Sequence, residues 1–169
     1  MTRNLTYIKA TPEDHELLTR TAMSSKQYWG YADRLMALWR EELTITPDYI
    51  TRNEVVKVES AEGFIGFYAL ADKGKDHWEV EHFWLLPGDV RKGYGTRIFE
   101  HILKHIKEKN GKSVSLSADP HAKGFYDKMG GTVIQQEPSK IAGRFLDVYE
   151  FAVKKRAQPG KNSVSRKNK

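Results

Sequence analysis

A strand-like end, Phe83-Trp84-Leu85-Leu86, runs into Pro87, then Val90-Arg91-Lys92-Gly93-Tyr94-Gly95-Thr96, then isoleucines at positions 98, 102 and 106. Pro87 ends the strand, because its ring offers no N–H to a ladder. The fourfold isoleucine spacing marks one face of a helix that Asn110-Gly111 then stops. Strand, glycine turn and helix start form an anion-binding arrangement. Free N–H groups of a first helical turn point toward a phosphate, and glycine lets the backbone approach without a Cβ. Arg91, Lys92 and Arg97 add positive charge nearby. A dinucleotide fingerprint requires a third glycine three residues after Gly95, where Ile98 stands, and a P-loop requires Lys followed by Ser or Thr after its second glycine. Neither is present. Alone, Gly93-Tyr94-Gly95 is compatible with a plain tight turn as well as with a phosphate cradle.

The flanking periods set the fold class. Leu5, Tyr7 and Lys9 alternate with Thr6, Ile8 and Ala10 in a strand that Thr11-Pro12-Glu13-Asp14 ends with a helix-start signature. Leu17, Leu18, Thr21 and Ala22 recur at helical spacing, and a second helix after Gly30 carries Leu35, Met36, Leu38 and Trp39. Residues 55–59 and 64–70 read as a hairpin about Ala61-Glu62-Gly63, and residues 77–86 as its third strand after Lys73-Gly74-Lys75-Asp76. Beyond the long helix come a strand at 113–117, a short helix at 122–129, a break at Gly130-Gly131, and strands at 132–135 and 145–153. The order β-α-α-β-β-β-α-β-α-β-β describes an α/β (α+β) single domain: a mixed, mostly antiparallel sheet of about seven strands flanked by about four helices.

The 169 residues fit one domain, read as residues 1–153. With no cysteine, disulfides, thiolate metal sites and a catalytic thiol are excluded, and no metal is expected. No apolar signal core or membrane-length span can be drawn, so a cytoplasmic protein with no membrane partner is expected. The net charge of +6 is misleading, because residues 154–169 hold seven basic side chains and no acid, leaving residues 1–153 with 21 bases against 22 acids, or −1. The tail, polar and with Pro159-Gly160, reads as disordered, and a nearly neutral body opposes a nucleic-acid partner.

The strand, proline, basic turn, Gly-Tyr-Gly-Thr and long helix resemble the acetyl-CoA segment of the GNAT N-acetyltransferases, whose pattern is Q/R-x-x-G-x-G/A. A second element fits at the right distance: residues 122–130, Ala-Lys-Gly-Phe-Tyr-Asp-Lys-Met-Gly, resemble the family's A-x-x-F-Y-x-x-x-G helix. The resemblance spans about residues 5–153. It implies that Arg91, Lys92, Gly93, Tyr94, Gly95 and Thr96 cradle the coenzyme pyrophosphate. The resemblance also implies that Leu85 sits at the splayed end of the fourth strand against the pantetheine arm and that Ala122 and Phe125 join the coenzyme site. Two departures stand out: Val90 and Arg91 occupy the usual Gln/Arg and first-Gly positions, and Asp119 stands where many members have a coenzyme-contacting Asn.

The implied reaction passes the acetyl group of acetyl-CoA directly to an amine in a ternary complex. A lysine-like amine is neutral about once in 2,500 molecules at pH 7, a deficit of roughly 4.6 kcal/mol, so a base or a desolvating pocket is needed. The attack also calls for a backbone N–H at the carbonyl oxygen and a proton for the departing thiolate. Tyr126 stands at the family's position for that proton donor, and aromatic packing is its plain alternative. Glu79 and Glu81 share one strand face, with Glu81 the favoured base through water, although a solvated face explains them equally; His82, placed on the opposite face, is the second choice. Tyr28, Trp29 and Tyr31 are expected to line the acceptor site, with residues 137–144 closing its other side. The acceptor, small molecule or peptide, and the oligomeric state, a homodimer included, stay open. So does a sensor module that binds acyl-CoA without transfer.

Overall fold

The computed structural model describes residues 4–153, so the basic tail at 154–169 lies outside the described residues. Seven strands form one sheet in the order β1-β2-β3-β4-β5-β7-β6. They are β1 (Thr6–Lys9), β2 (Glu54–Ser60), β3 (Gly63–Asp72), β4 (His77–Leu85), β5 (Ser113–Ala118), β6 (Thr132–Pro138) and β7 (Phe145–Ala152). β1 to β4 form an antiparallel meander, β4 and β5 run parallel, and β7 lies between β5 and β6. β3 is an interior strand between β2 and β4 and is buried on both faces from Ile65 to Ala71, which explains its nearly unbroken apolar run.

Each face of the sheet has its own core. α5 (Tyr94–Glu108) presents Ile98, Ile102 and Ile106, each at most 1 % exposed, to Leu70, Val80, Leu116 and Phe151. Burial of each isoleucine contributes about 1.5–3 kcal/mol. Asn110, in the left-handed region at φ 62°, ends this helix, and the Gly111 N–H returns to the Ile106 carbonyl. α6 (Lys123–Lys128) covers the same face and is tied to β7 by a 2.6 Å bond from the Tyr149 hydroxyl to Asp127. The opposite face is covered by α1 (His15–Gln27), α2 (Asp33–Met36), α3 (Arg40–Leu43) and α4 (Pro47–Arg52), through Leu18, Ala22, Trp39, Leu43 and Ile50.

The second helix expected after Gly30 is a segmented one. A tight turn at Ala37–Trp39 joins α2 to α3, and α4 follows as a separate element. Pro47 accounts for the break, since it biases Thr46 to extended backbone (φ −90°, ψ 156°), and the Thr46 hydroxyl then caps α4 by accepting the Tyr49 N–H. Among the described residues no helix is long and apolar enough to cross a membrane.

Candidate active site

β4 and β5 pair only at His77, Trp78 and Glu79 against Ser113, Val114 and Ser115. Beyond Glu79 the ladder opens, and Val80 and Leu116 line a cavity between the two strands. A close approach from β3 supports the open end of β4: Gly66 pairs with Leu85, and a Cβ at Gly66 would lie 2.2 Å from the Trp84 carbonyl oxygen.

β4 also carries a bulge. Val80 pairs with Leu70 and His82 with Ala69, which leaves Glu81 as an extra residue. An extra residue reverses the alternation of side chains. Val80 therefore faces the core under α5, while Glu81 and His82 both face the α1–α4 side and line the same cavity. His82 is thus not on the opposite face from Glu81, as strict alternation predicts.

Two cavities meet at this point. The smaller, about 200 Å³, runs along the opened strands and is lined by Leu85, Val90, Ala122, Phe125 and Tyr126. The larger, about 640 Å³, lies on the α1–α4 side and is lined by Trp39, Tyr49, Glu79, His82, Glu137 and Lys140 among others. Val80, Glu81, Trp84, Ser117 and Asp119 belong to both linings.

The glycine turn borders the smaller cavity through Val90. Arg91 has a φ of 65° and Gly93 one of 81°, so two left-handed residues fold the chain back into the first turn of α5. Arg91 therefore holds a glycine-like conformation with a full side chain. Among the described residues no side-chain hydrogen bond caps the helix at Gly93, an arrangement of first-turn N–H groups that suits an anion. The Tyr94 ring is buried in the α5 core, so Tyr94 offers the turn only its backbone. A Cβ built on Gly95 meets the Phe125 ring at 3.4 Å, which places the turn directly beside α6.

On α6, Tyr126 packs edge-on to Phe99 and Phe125, and its hydroxyl has no hydrogen-bond partner among the described residues. Burial pushes its phenol up from the ordinary tyrosine range. Glu81 accepts a 2.8 Å hydrogen bond from the Tyr49 hydroxyl and lies 3.8 Å from Lys73, which also pairs with Glu79 at 3.3 Å. Trp84 Nε1 donates to His82 Nδ1 at 3.0 Å, so that nitrogen is the acceptor and the neutral ring carries its proton on Nε2. Burial pushes His82 down to about 4, so the ring is neutral at neutral pH with its Nδ1 lone pair engaged by Trp84.

The model of the acetyltransferase (GNAT) family matches residues 18–131 of this sequence. The chain belongs to this acetyltransferase family. No curated protein matches the sequence significantly. The acetyltransferase is similar in fold to PaiA N-acetyltransferase from Thermoplasma acidophilum, solved in complex with coenzyme A, at 20 % identity and TM-score 0.73 over 88 % of this chain and 99 % of that one. It is similar to Ard1 from Thermoplasma volcanium at 20 % identity and TM-score 0.66, over 89 % and 99 % of the two chains. The ribosomal-protein-S18-alanine N-acetyltransferase from Escherichia coli gives 13 % identity and TM-score 0.66, over 94 % and 98 %.

In this acetyltransferase Asp119, at the end of β5, anchors a polar network between the two cavities. Its carboxylate takes 2.8 and 2.9 Å bonds from Lys26 Nζ and the Tyr31 hydroxyl, and a 2.9 Å bond from the His121 N–H. Burial raises its pKa, but Lys26 and the His121 N–H outweigh this and hold it down to about 2. Arg144, from the β6–β7 connection, donates to the Tyr31 hydroxyl at 2.7 Å, and Lys26 lies over the Trp39 indole at 4.1 Å. Of the aromatic residues expected at the acceptor site, Trp29 lines the smaller cavity and stacks on His121, Tyr31 joins the Asp119 network, and Tyr28 is exposed. Trp39, Tyr49 and Trp84 form the aromatic wall of the larger cavity. Tyr49 escapes a periodicity reading, although Thr46-Pro47-Asp48 repeats the helix-start signal of Thr11-Pro12-Glu13. Lys26 belongs to the segment 24–31 expected to line the acceptor site, and the sequence does not show its carboxylate partner, 93 residues away.

Proposed function

We propose that this acetyltransferase moves the acetyl group of acetyl-CoA directly to an amine while both substrates are bound, the coenzyme arm in the smaller cavity and the acceptor in the larger. The observation that carries this reading is the shared wall at Glu81, Ser117 and Asp119, where the two cavities meet. A direct transfer also agrees with a sequence that contains no cysteine to carry the acetyl group.

Acetyl-CoA supplies the activated thioester. The residues fit such a ligand: the uncapped start of α5 and the Arg91 and Lys92 side chains suit a pyrophosphate, and Leu85, Ala122 and Phe125 suit a narrow, mostly apolar arm. Glu81 accepts, through water, the proton that the amine releases as its nitrogen bonds to the acetyl carbon. Tyr126 gives its hydroxyl proton to the sulfur as the carbon–sulfur bond breaks, and is reprotonated from solvent. Burial makes Tyr126 a weaker acid, and the same apolar surroundings raise the proton affinity of a thiolate, so the two partners shift in the same direction. Tyr49 holds the Glu81 carboxylate in place through its 2.8 Å bond.

Steady-state kinetics on Tyr126→Phe and Glu81→Gln test the assignment. Each should lower kcat by roughly 10²-fold, the usual scale of general acid or base catalysis, while calorimetry shows coenzyme A affinity nearly unchanged. Glu79→Gln should matter much less. Full turnover in Tyr126→Phe would return that residue to packing alone. Equal small effects at Glu79 and Glu81 would leave the base to His82 or to solvent.

A further inference from the structure

The charge on the wall of the larger cavity distinguishes classes of amine. That wall carries the carboxylates of Glu42, Glu79, Glu81, Asp119 and Glu137 and the ammonium groups of Lys26 and Lys140. Both lysines are already paired within the chain, Lys26 with Asp119 at 2.8 Å and Lys140 with Glu42 at 3.2 Å. The Lys140 and Glu42 side chains are 45 % and 56 % exposed, so that pair is screened by solvent, and an acceptor's own carboxylate meets there one accessible cation against five carboxylates on this wall. Glu79, Glu81 and Glu137 remain. The first two share Lys73, whose side chain is 45 % exposed and screened by solvent. Glu137 accepts from the Ser117 hydroxyl, and no cation lies within ion-pair distance of it among the described residues.

These acids occupy two separate positions. Glu81 stands on β4 where the cavities meet, whereas Glu137 reaches from β6 toward Ser117 on the far side of the strand opening. The same wall also offers apolar and aromatic surface from Leu43, Trp39, Tyr49, Trp84 and Leu146, interspersed with its polar groups. Methylene groups gain from burial against such a surface, and ammonium groups gain from the aromatic faces.

We propose, building on the reading of this cavity as the acceptor site, that the preferred acceptor is a linear aliphatic amine with a second cationic group, a diamine or polyamine. The reacting nitrogen lies at Glu81 and the second ammonium at Glu137. The cavity and its junction with the coenzyme site define the place, and the surplus carboxylates define the charge of what enters it.

The test is thiol release from acetyl-CoA by the whole enzyme with a four-carbon α,ω-diamine, the four-carbon monoamine, the four-carbon ω-amino acid and a short peptide with a free N-terminus. The diamine should exceed the monoamine in kcat/KM by about tenfold, corresponding to about 1.4 kcal/mol, and the ω-amino acid should be the poorest. Raising the salt concentration should narrow the gap. Glu137→Gln should lower the diamine-to-monoamine ratio about tenfold, a ratio insensitive to any general loss of active protein. Turnover in which the monoamine, the amino acid or the peptide equals the diamine would overturn the proposal and leave the acetyltransferase reading standing, as would an unchanged ratio in Glu137→Gln. Absence of coenzyme A binding by calorimetry, or of turnover with every amine, would overturn both.

Discussion

Replacing Asp119 by Asn would leave the Lys26 ammonium without a carboxylate in a site where its side chain is only 10 % exposed and that of Asp119 only 13 %. Breaking a buried pair by removing one partner costs about 3–5 kcal/mol. Two contacts reduce that figure: the Trp39 face 4.1 Å from Lys26 Nζ, and the oxygen that Asn retains for Tyr31 and His121. The expected loss is therefore about 2–3 kcal/mol, or a fall in Tm of roughly 4–12 °C for a chain of this size. Lys26→Met combined with Asp119→Asn removes both charges and should recover most of the loss, with a coupling energy of about 2 kcal/mol. The sign of the pH dependence follows from a folded-state pKa of about 2, below the ordinary aspartate value of 3.8. The carboxylate's contribution is complete above pH 4 and is lost as the pH falls toward 2, so the gap between wild type and Asp119→Asn should shrink over that window and stay constant between pH 5 and 7. Urea unfolding followed by tryptophan fluorescence measures wild type, the two single variants Asp119→Asn and Lys26→Met, and the double variant. A single Asp119→Asn change costing under about 0.5 kcal/mol, or strict additivity in the double variant, would refute the argument.

Three further outcomes are expected. Arg91→Gly should relieve the left-handed backbone at φ 65° and stabilise the fold by about 1 kcal/mol, while weakening coenzyme A binding severalfold through loss of a cation; calorimetry reads both. Gly95→Asp should abolish coenzyme A binding by placing a carboxylate beside the helix start, whereas Gly95→Ala, whose Cβ meets the Phe125 ring at 3.4 Å, should bind within about threefold of wild type. Tyr49→Phe removes the 2.8 Å bond to Glu81 and should lower kcat about tenfold, with a stability change near 1 kcal/mol; equal turnover would show that Glu81 needs no such support.

The order of elements was legible because periods of two and of about four depend on neighbours along the chain: the meander from Val55 to Leu85, the isoleucines of α5 and the stop at Asn110-Gly111 all appear where the pattern puts them. The glycine turn and the Phe125-Tyr126 helix could also be read locally, and the fold brings Gly95 and Phe125 into contact. Three features were decided only in the tertiary structure. The bulge at Glu81 depends on how β4 registers against β3, and it moves His82 onto the face of Glu81 against the alternation of the sequence. Tyr49 reaches Glu81 only because α4 packs over the end of the sheet, 32 residues away along the chain. The Asp119 network joins Lys26 across 93 residues, and Arg144 joins Tyr31 across 113, separations over which no local period carries information. Backbone preference and side-chain spacing select elements, whereas strand register and the opening between β4 and β5 select which side chains share a cavity.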